Sequence, residues 1–374
     1  MPKNEAAWLA AKHQPLQVKD APYTEPAAGE ILVRNRAVAI NPVDWMIPHL
    51  GRLLFSWIRF PCVLGSDLAG DVVAVGSGVT DIKVGDRVLA MAAGMCKQRN
   101  RAAEGAFQAY TIVLPRLTTI IPDSMSYVDA AVIPLGVTTA ACGLFQSDLL
   151  ALKTPSADAK TRDQWVIVWG GATSVGCNAI QLAVAAGYSV VTTASPKNFD
   201  YVKSLGASGA FDYNSKDAVR DIVAALRGKD VVGAFAIGAG STGACLDILS
   251  HCQGRKFVAS CSASISFGSL AKGGWITLAD VLKSVPSMLR ANLSTRGKSR
   301  RYGIQEKFFD ASSVVDNEIG PAIFRDYLGH ALASGSFRPA PPAQVVGTSL
   351  HDIQKAFDIQ RRGVSAAKIV VALD

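Results

Sequence analysis

Val166-Ile-Val-Trp-Gly-Gly-Ala-Thr-Ser-Val-Gly-Cys-Asn-Ala-Ile-Gln-Leu-Ala183 reads as a buried strand that runs through a glycine turn into a helix. The apolar run Trp165-Val-Ile-Val-Trp169 suits a parallel strand covered on both faces. Gly170, Gly171 and Gly176 permit a tight turn ahead of a helix bearing Val175, Ile180, Leu182 and Ala183. Free N–H groups at such a helix start face phosphate, so the layout is one that holds a dinucleotide pyrophosphate. The GxGxxG fingerprint appears as Gly171-Ala172-Thr173-Ser174-Val175-Gly176, with Thr173 at the middle glycine, and as a bare pattern it is weak.

Context strengthens it. A second apolar strand, Ser189-Val-Val-Thr-Thr193, follows Gly187, and its carboxyl end reaches Ser195, about 20 residues past the turn, where ribose specificity is set in such folds. A chain selecting NAD is expected to carry Asp or Glu there. This one has Ala194-Ser-Pro-Lys197, a hydroxyl and a cation that suit a 2′-phosphate, which predicts NADPH. The plainer alternative makes Ser195 a helix cap and Lys197 a solvated charge.

The chain has 374 residues, 49% hydrophobic and 18% charged, ordinary material for a soluble globular protein and long enough for two domains. Its net charge of +8 is spread along the chain, which argues against a nucleic-acid partner. Two basic clusters stand out, Lys97 with Arg99 and Arg101, and Arg296 with Lys298, Arg300 and Arg301; solvated loops explain them, or a landing site for an acidic partner. Seven cysteines without a CxxC pair read as free thiols in a reducing, cytoplasmic compartment. No signal peptide is legible, and no membrane partner is expected.

Along the chain the texture changes twice. Residues 1–127 hold short β-rich runs such as Ile31-Leu-Val-Arg-Asn-Arg-Ala-Val-Ala-Ile40, punctuated by glycine, the rhythm of a barrel-like domain. Over residues 128–338 strands alternate with helices: Gly209-Ala-Phe-Asp-Tyr213, Val231-Val-Gly-Ala-Phe-Ala-Ile237 and Arg255-Lys-Phe-Val-Ala-Ser260 follow the two strands above, with an amphipathic helix over residues 217–226. Alternation of this kind predicts an α/β, doubly wound parallel sheet. Residues 339–374 return to β and helix, ending in the strand Lys368-Ile-Val-Val-Ala-Leu373, and are expected to pack on the first domain.

Several spaced motifs carry a resemblance that spans nearly the whole chain: Asn41-Pro-Val-Asp-Trp45, Pro61-Cys-Val-Leu-Gly-Ser-Asp-Leu-Ala-Gly70, Gly85-Asp-Arg-Val88, Gly105-Ala-Phe-Gln-Ala-Tyr110, Thr138-Thr-Ala140, the glycine turn, and Gly363-Val-Ser-Ala-Ala-Lys-Ile-Val370. The chain resembles the medium-chain dehydrogenase/reductases, in the zinc-free quinone oxidoreductase and trans-enoyl reductase branch that includes fungal proteins labelled zinc-binding dehydrogenase-like. That resemblance implies a GroES-like β-barrel catalytic domain beside a Rossmann domain. In zinc-dependent members a Cys stands at the position of Asn41, a His-Glu pair at Ser66-Asp67 and a Cys near Leu135. Asn and Ser are poor zinc ligands and residues 90–110 supply only Cys96, so no metal is expected.

Without zinc a simple carbonyl loses its electrophilic assistance, whereas hydride delivered to the β-carbon of an enone, enoyl thioester or quinone leaves charge on a distant oxygen that a few donors can stabilise. The expected activity is therefore NADPH-dependent, zinc-independent reduction of an activated C=C bond in a small apolar substrate. Rivals are an NADPH-binding protein with lost or non-redox activity, and a trans-acting enoyl reductase partnered with a carrier protein of a polyketide synthase. By resemblance Asn41, Asp44 and Thr139 are the catalytic candidates. Thr138, Tyr213 and Ile237 join the glycine turn, Ser195 and Lys197 in the cofactor set. For Asp44 a loop cap, and for Thr138 and Thr139 a hydroxyl satisfied within its own helix, are the plainer readings. Met46 departs from relatives that carry Lys or Tyr there, and Met has no proton to give. Residues 267–316 suggest a substrate lid. Oligomeric state is open between monomer and a homodimer paired through a sheet edge, for which Phe235-Ala-Ile237 and Phe257-Val-Ala259 leave room.

Overall fold

The computed structural model describes residues 2–156, 160–262 and 274–373, and the chain divides into two compact units. The first comprises Met1–Leu135, Ala271–Thr277 and Ser312–Asp374; the second comprises Gly136–Leu270 and Leu278–Ala311.

Within the second unit the six main strands run side by side in the order Gly209–Asp212, Ser189–Ala194, Gln164–Trp169, Asp230–Ala236, Phe257–Ser260 and Gln305–Phe308, and every pairing is parallel. The chain thus starts mid-sheet, winds to one edge, then returns to build the other half. Val166, Ile167 and Val168 are all buried, as a centre strand covered on both faces demands. Ile167 packs in one cluster with Val191, Ile222, Val231, Leu246 and Val258. Each such aliphatic side chain stabilises the sheet by roughly 1.5–3 kcal/mol. The order reverses between Gln164–Trp169 and Asp230–Ala236, and the crevice at their carboxyl ends is where this topology receives ligands.

The first unit is built on antiparallel pairing. Its larger sheet runs Ala343–Gly347, Lys368–Ala372, Ile31–Ala39, Asp67–Val75, Arg87–Met91 and Thr118–Ile120, with Tyr110–Val113 also on Ile31–Ala39. Lys368–Ala372 closes it by pairing with Ile31–Ala39, Val370 opposite Ala39, so the tail packs on the first unit as expected.

Four features depart from the sequence reading. The alternating region was expected to extend to residue 338, yet Ser312 onward belongs with the first unit. Thr119 Oγ1 donates to the Phe324 carbonyl at 2.6 Å and Gly320 sits against Leu117, contacts between segments far apart in sequence. Phe235 and Ala259 are buried in interior strands and offer no pairing edge. The edge on that side is Gln305–Phe308, whose polar composition hid it. Arg99 and Arg101 are not unpaired loop charges: both grip Glu30 and Glu104, two nearly buried carboxylates, at 2.6 to 2.8 Å, while the Arg101 side chain stays 41% exposed. The expected lid lies partly outside the described residues; its described part is mainly the helix Leu278–Tyr302, fixed to Asp247 on the helix Ser241–His251 by Lys298 and Tyr302, followed by the edge strand Gln305–Phe308.

All seven cysteines are free. The helical stretch Tyr127–Phe145 is long and apolar enough to cross a membrane, but 78% of that window is buried inside the protein, which marks a core helix.

Candidate active site

In the second unit the turn is shaped by what cannot fit. A Cβ on Gly171 would stand 2.1 Å from Thr192 Oγ1, and one on Gly176 would stand 2.2 Å from the Gly170 carbonyl, so only glycine lets the backbone close. Gly170 takes a positive φ of 93°, and its N–H donates to Thr193 Oγ1 at 3.0 Å. Thr173, standing where the middle glycine was expected, caps the helix Ser174–Ala185, its hydroxyl accepting the Gly176 N–H at 3.0 Å. Ala172, Ser174 and Val175 complete the turn at that helix start, where unpaired N–H groups favour an anion. Ile237, at the crevice, lends its carbonyl to the other flank of Gly170 and donates its N–H to the Trp169 carbonyl at 3.1 Å.

Two buried hydroxyls there lack partners among the described residues, Ser174 Oγ and Thr138 Oγ1. The reading of Thr138 as satisfied within its own helix therefore fails. Ser174 Oγ lies against Gly136, on the helix Pro134–Phe145 that also carries Thr138. Thr139 is half-buried and has a partner. A glycine cradle with orphaned hydroxyls beside a helix start fits a dinucleotide.

At the end of Ser189–Ala194, Ser195 does not cap the following turn with its side chain; its Oγ lies 3.2 Å from the Tyr213 hydroxyl. Lys197 is exposed and makes no ion pair among the described residues. Two hydroxyls and an uncommitted ammonium thus gather at the strand end the sequence singled out.

The first unit holds a different kind of site. Asn41 and Asp44 flank the start of the helix Pro42–Leu50, where Asp44 Oδ2 accepts the Asn41 N–H at 2.7 Å. Asn41 Nδ2 donates to Asp67 Oδ2 at 2.8 Å, and Asn41 Oδ1 accepts from Lys368 Nζ at 2.5 Å. Lys368 Nζ also pairs with Asp67 Oδ2 at 2.8 Å, with both side chains almost wholly buried, and Asp67 Oδ1 takes the Leu135 N–H at 2.5 Å. Asp44 Oδ1 is buried without a partner among the described residues. Burial first, then the neighbouring Asp67 charge, pushes the Asp44 carboxyl up to about 8 against the pull of the Asn41 N–H and Lys368, so it keeps its proton at neutral pH.

Lys368 was quoted in the sequence only as part of a motif and Asp67 only as an insufficient zinc ligand; their pairing was missed. The single signal was a lysine opening an otherwise apolar strand. Of the positions that in zinc-dependent relatives carry Cys, His-Glu and Cys, Asn41 and Asp67 meet the Lys368 ammonium, and Leu135 gives only its backbone N–H to Asp67. Among the described residues no three His, Cys, Asp or Glu side chains gather as a metal site.

Beside this cluster, on the same helix, Trp45 and His49 line a cavity of about 260 Å³ with Trp275, Phe357 and Arg361. His49 Nδ1 accepts the Ile276 N–H at 3.2 Å, and burial, with help from Arg361 and His13, lowers its ring to about 4. The imidazole is therefore neutral, with its proton on Nε2.

Residues 27–123 match the alcohol dehydrogenase GroES-like domain family. Across its full length the chain is 49% identical to a dehydrogenase of Monascus ruber, with all of both chains covered. It is 33% identical to a trans-enoyl reductase of Aspergillus japonicus over 99% of this chain and 97% of that one. The chain belongs to the medium-chain dehydrogenase/reductase superfamily. An alcohol dehydrogenase superfamily protein from Novosphingobium aromaticivorans shares the fold at a TM-score of 0.72 and 25% identity, covering 99% of this chain and 100% of that one. A mycobacterial protein solved with NADPH shares it at 0.66 and 22%, covering 99% of each chain. The chain is thus an oxidoreductase. Its first unit is built on the GroES-like domain and its second is the Rossmann domain.

Proposed function

We propose that this oxidoreductase uses NADPH, without a metal ion, to reduce the activated double bond of an enone, enoyl thioester or quinone. One observation supports the metal-free reading: Asn41 and Asp67, at positions aligned with zinc-site residues of zinc-dependent relatives, are already committed to the Lys368 ammonium. A second cation there would face repulsion and too few donors. The choice of NADPH is supported by Ser195, Tyr213 and Lys197 at the ribose position, where no carboxylate stands.

Bound nicotinamide supplies hydride; the chain's own residues bind, orient and handle the proton. The glycine turn, Thr173 and Ser174 hold the pyrophosphate, and the unpartnered Thr138 hydroxyl is a further candidate contact to the cofactor. In the first unit, Asn41 Nδ2 has one hydrogen on Asp67 and the other beside the Asp44 carboxyl, and it is a donor for the oxygen on which charge develops. Asp44 holds a proton at neutral pH next to an oxygen without a partner, the role Met46 cannot fill. The ring-walled cavity suits a flat conjugated acceptor.

Delivery of that acceptor on a carrier protein is a second reading, favoured by the helix Leu278–Tyr302. It exposes Leu278, Leu282, Leu289 and Leu293 along one line that Arg296 and Arg300 continue at helical spacing. Reversing both arginines to Glu should cost turnover on carrier-bound thioester and spare the free thioester. The seven free thiols fit a cytoplasmic setting.

Anaerobic mixing with NADPH and a panel of enones, enoyl thioesters and quinones tests the main reading. Loss of reduced-nicotinamide absorbance supports it. Cofactor fluorescence that changes on binding while absorbance never falls would make the chain an NADPH-binding protein without turnover.

A further inference from the structure

Lys368 lies 327 residues from Asn41 in the chain, yet the fold brings its ammonium onto that carboxamide. The approach is held from the backbone up. The Lys368 N–H donates to the Pro342 carbonyl at 2.9 Å, the next residue's carbonyl takes the Ile40 N–H at 2.9 Å, and Val370 pairs opposite Ala39. The strand is therefore fixed in register against the one that leads into Asn41. Its first side chain has a single buried destination.

A carboxamide rotated by half a turn keeps its shape and exchanges its chemistry. Around Asn41 the two neighbours remove that freedom, because an ammonium only donates and a carboxylate only accepts. Lys368 must face Oδ1 and Asp67 must face Nδ2. The reversed amide would set oxygen against carboxylate and N–H against ammonium. What remains after both contacts is one Nδ2 hydrogen with a fixed direction, on the side of the Asp44 carboxyl.

We propose that Lys368 is a positioning residue for the reductase reaction: by holding Asn41 Oδ1 from below, its buried ammonium fixes the direction in which the remaining Asn41 N–H is presented to the substrate oxygen. This rests on Asn41 being the donor in the reaction proposed above. Lys368 itself touches no reacting atom.

Replacing Lys368 alone would leave Asp67 buried and unpaired, so the test uses Lys368→Met together with Asp67→Asn, which removes both charges, and Lys368→Arg, which keeps a donating cation. Thermal unfolding establishes that each variant is folded. Steady-state kinetics with NADPH and the best acceptor then separate the roles. The double variant should lose about tenfold to a hundredfold in kcat, as removal of a group that orients a functional ligand commonly does, with KM and the NADPH Kd within about twofold of wild type. Lys368→Arg should recover most of that loss. A folded double variant with wild-type kcat overturns the proposal, because a lysine serving only the fold would give that result. Failure of both variants to fold overturns it as well, assigning Lys368 to the fold alone. Should the wild-type chain reduce no acceptor, the proposed function fails separately, and a neutron structure of the double variant, which locates the amide deuterons, decides the orientation claim: a rotated or mixed Asn41 amide upholds it, and a single wild-type orientation overturns it.

Discussion

Replacing Asp44 by Asn probes the electrostatics of the first unit most deeply. The carboxyl ionises near 3.8 in an unfolded chain and near 8 in the folded one, raised by burial and by Asp67. Between those values the folded state binds a proton that the unfolded state has released, so stability contributed at this site falls as pH rises and levels off above the folded value. The slope approaches about 1.4 kcal/mol per pH unit, with a ceiling of about 6 kcal/mol over the window. Relaxation and water penetration around buried ions reduce that ceiling, leaving a rise of about 2 kcal/mol or more to be measured. Asn has nearly the same shape, still accepts the Asn41 N–H and does not titrate. Its advantage over wild type should therefore be smallest near pH 4 and grow steadily toward pH 8. Urea unfolding of both proteins at about pH 5, 6.5 and 8 gives the difference. Only the difference is informative, because His49 titrates in the opposite sense across the lower half of the window. A difference independent of pH would mean that Asp44 is ionised throughout, and the assignment of a stored proton would be wrong.

Ser195→Ala and Lys197→Ala should each weaken NADPH by about tenfold, the loss of one hydrogen bond to a charged phosphate, and leave NADH unchanged; calorimetry with both dinucleotides checks this. Equal losses for both would remove these residues from the 2′-phosphate. Gly176→Ala forces a Cβ to within 2.2 Å of the Gly170 carbonyl, so it should destabilise the second unit by about 1–3 kcal/mol and abolish dinucleotide binding, read by denaturant unfolding and fluorescence titration. The His49 ring, lowered to about 4 mainly by burial, should stay neutral down to about pH 5 in an NMR titration. Since its unfolded value is 6.5, stability from this site is lost as pH falls from 6.5 toward 4; a folded midpoint near 6.5 would contradict that.

How far these features were legible follows from the range of the interactions that make them. The centre strand and glycine turn were plain, because an apolar run and two glycines speak through neighbours a few residues away. Ser195 and Lys197 were found by their distance from that turn, and Tyr213 by resemblance. Gln305–Phe308 escaped notice because it is short and mostly polar, with no alternation to read. The Arg99 and Arg101 cluster looked solvated because nothing local announces that Glu30, about 70 residues earlier, is its partner. Lys368 is the extreme case. A lysine at a strand start ordinarily lies at the surface, and only strand pairing across the whole chain shows that its ammonium completes the cluster around Asn41.

The central claim, hydride transfer from NADPH in a site served by a lysine ammonium where a metal would otherwise be bound, is tested most directly by turnover after exhaustive chelation, with elemental analysis of the same sample. The account predicts that the metal-stripped protein, with zinc far below one equivalent, oxidises NADPH against a conjugated acceptor at the untreated rate. Activity that disappears on chelation and returns with stoichiometric zinc would contradict it.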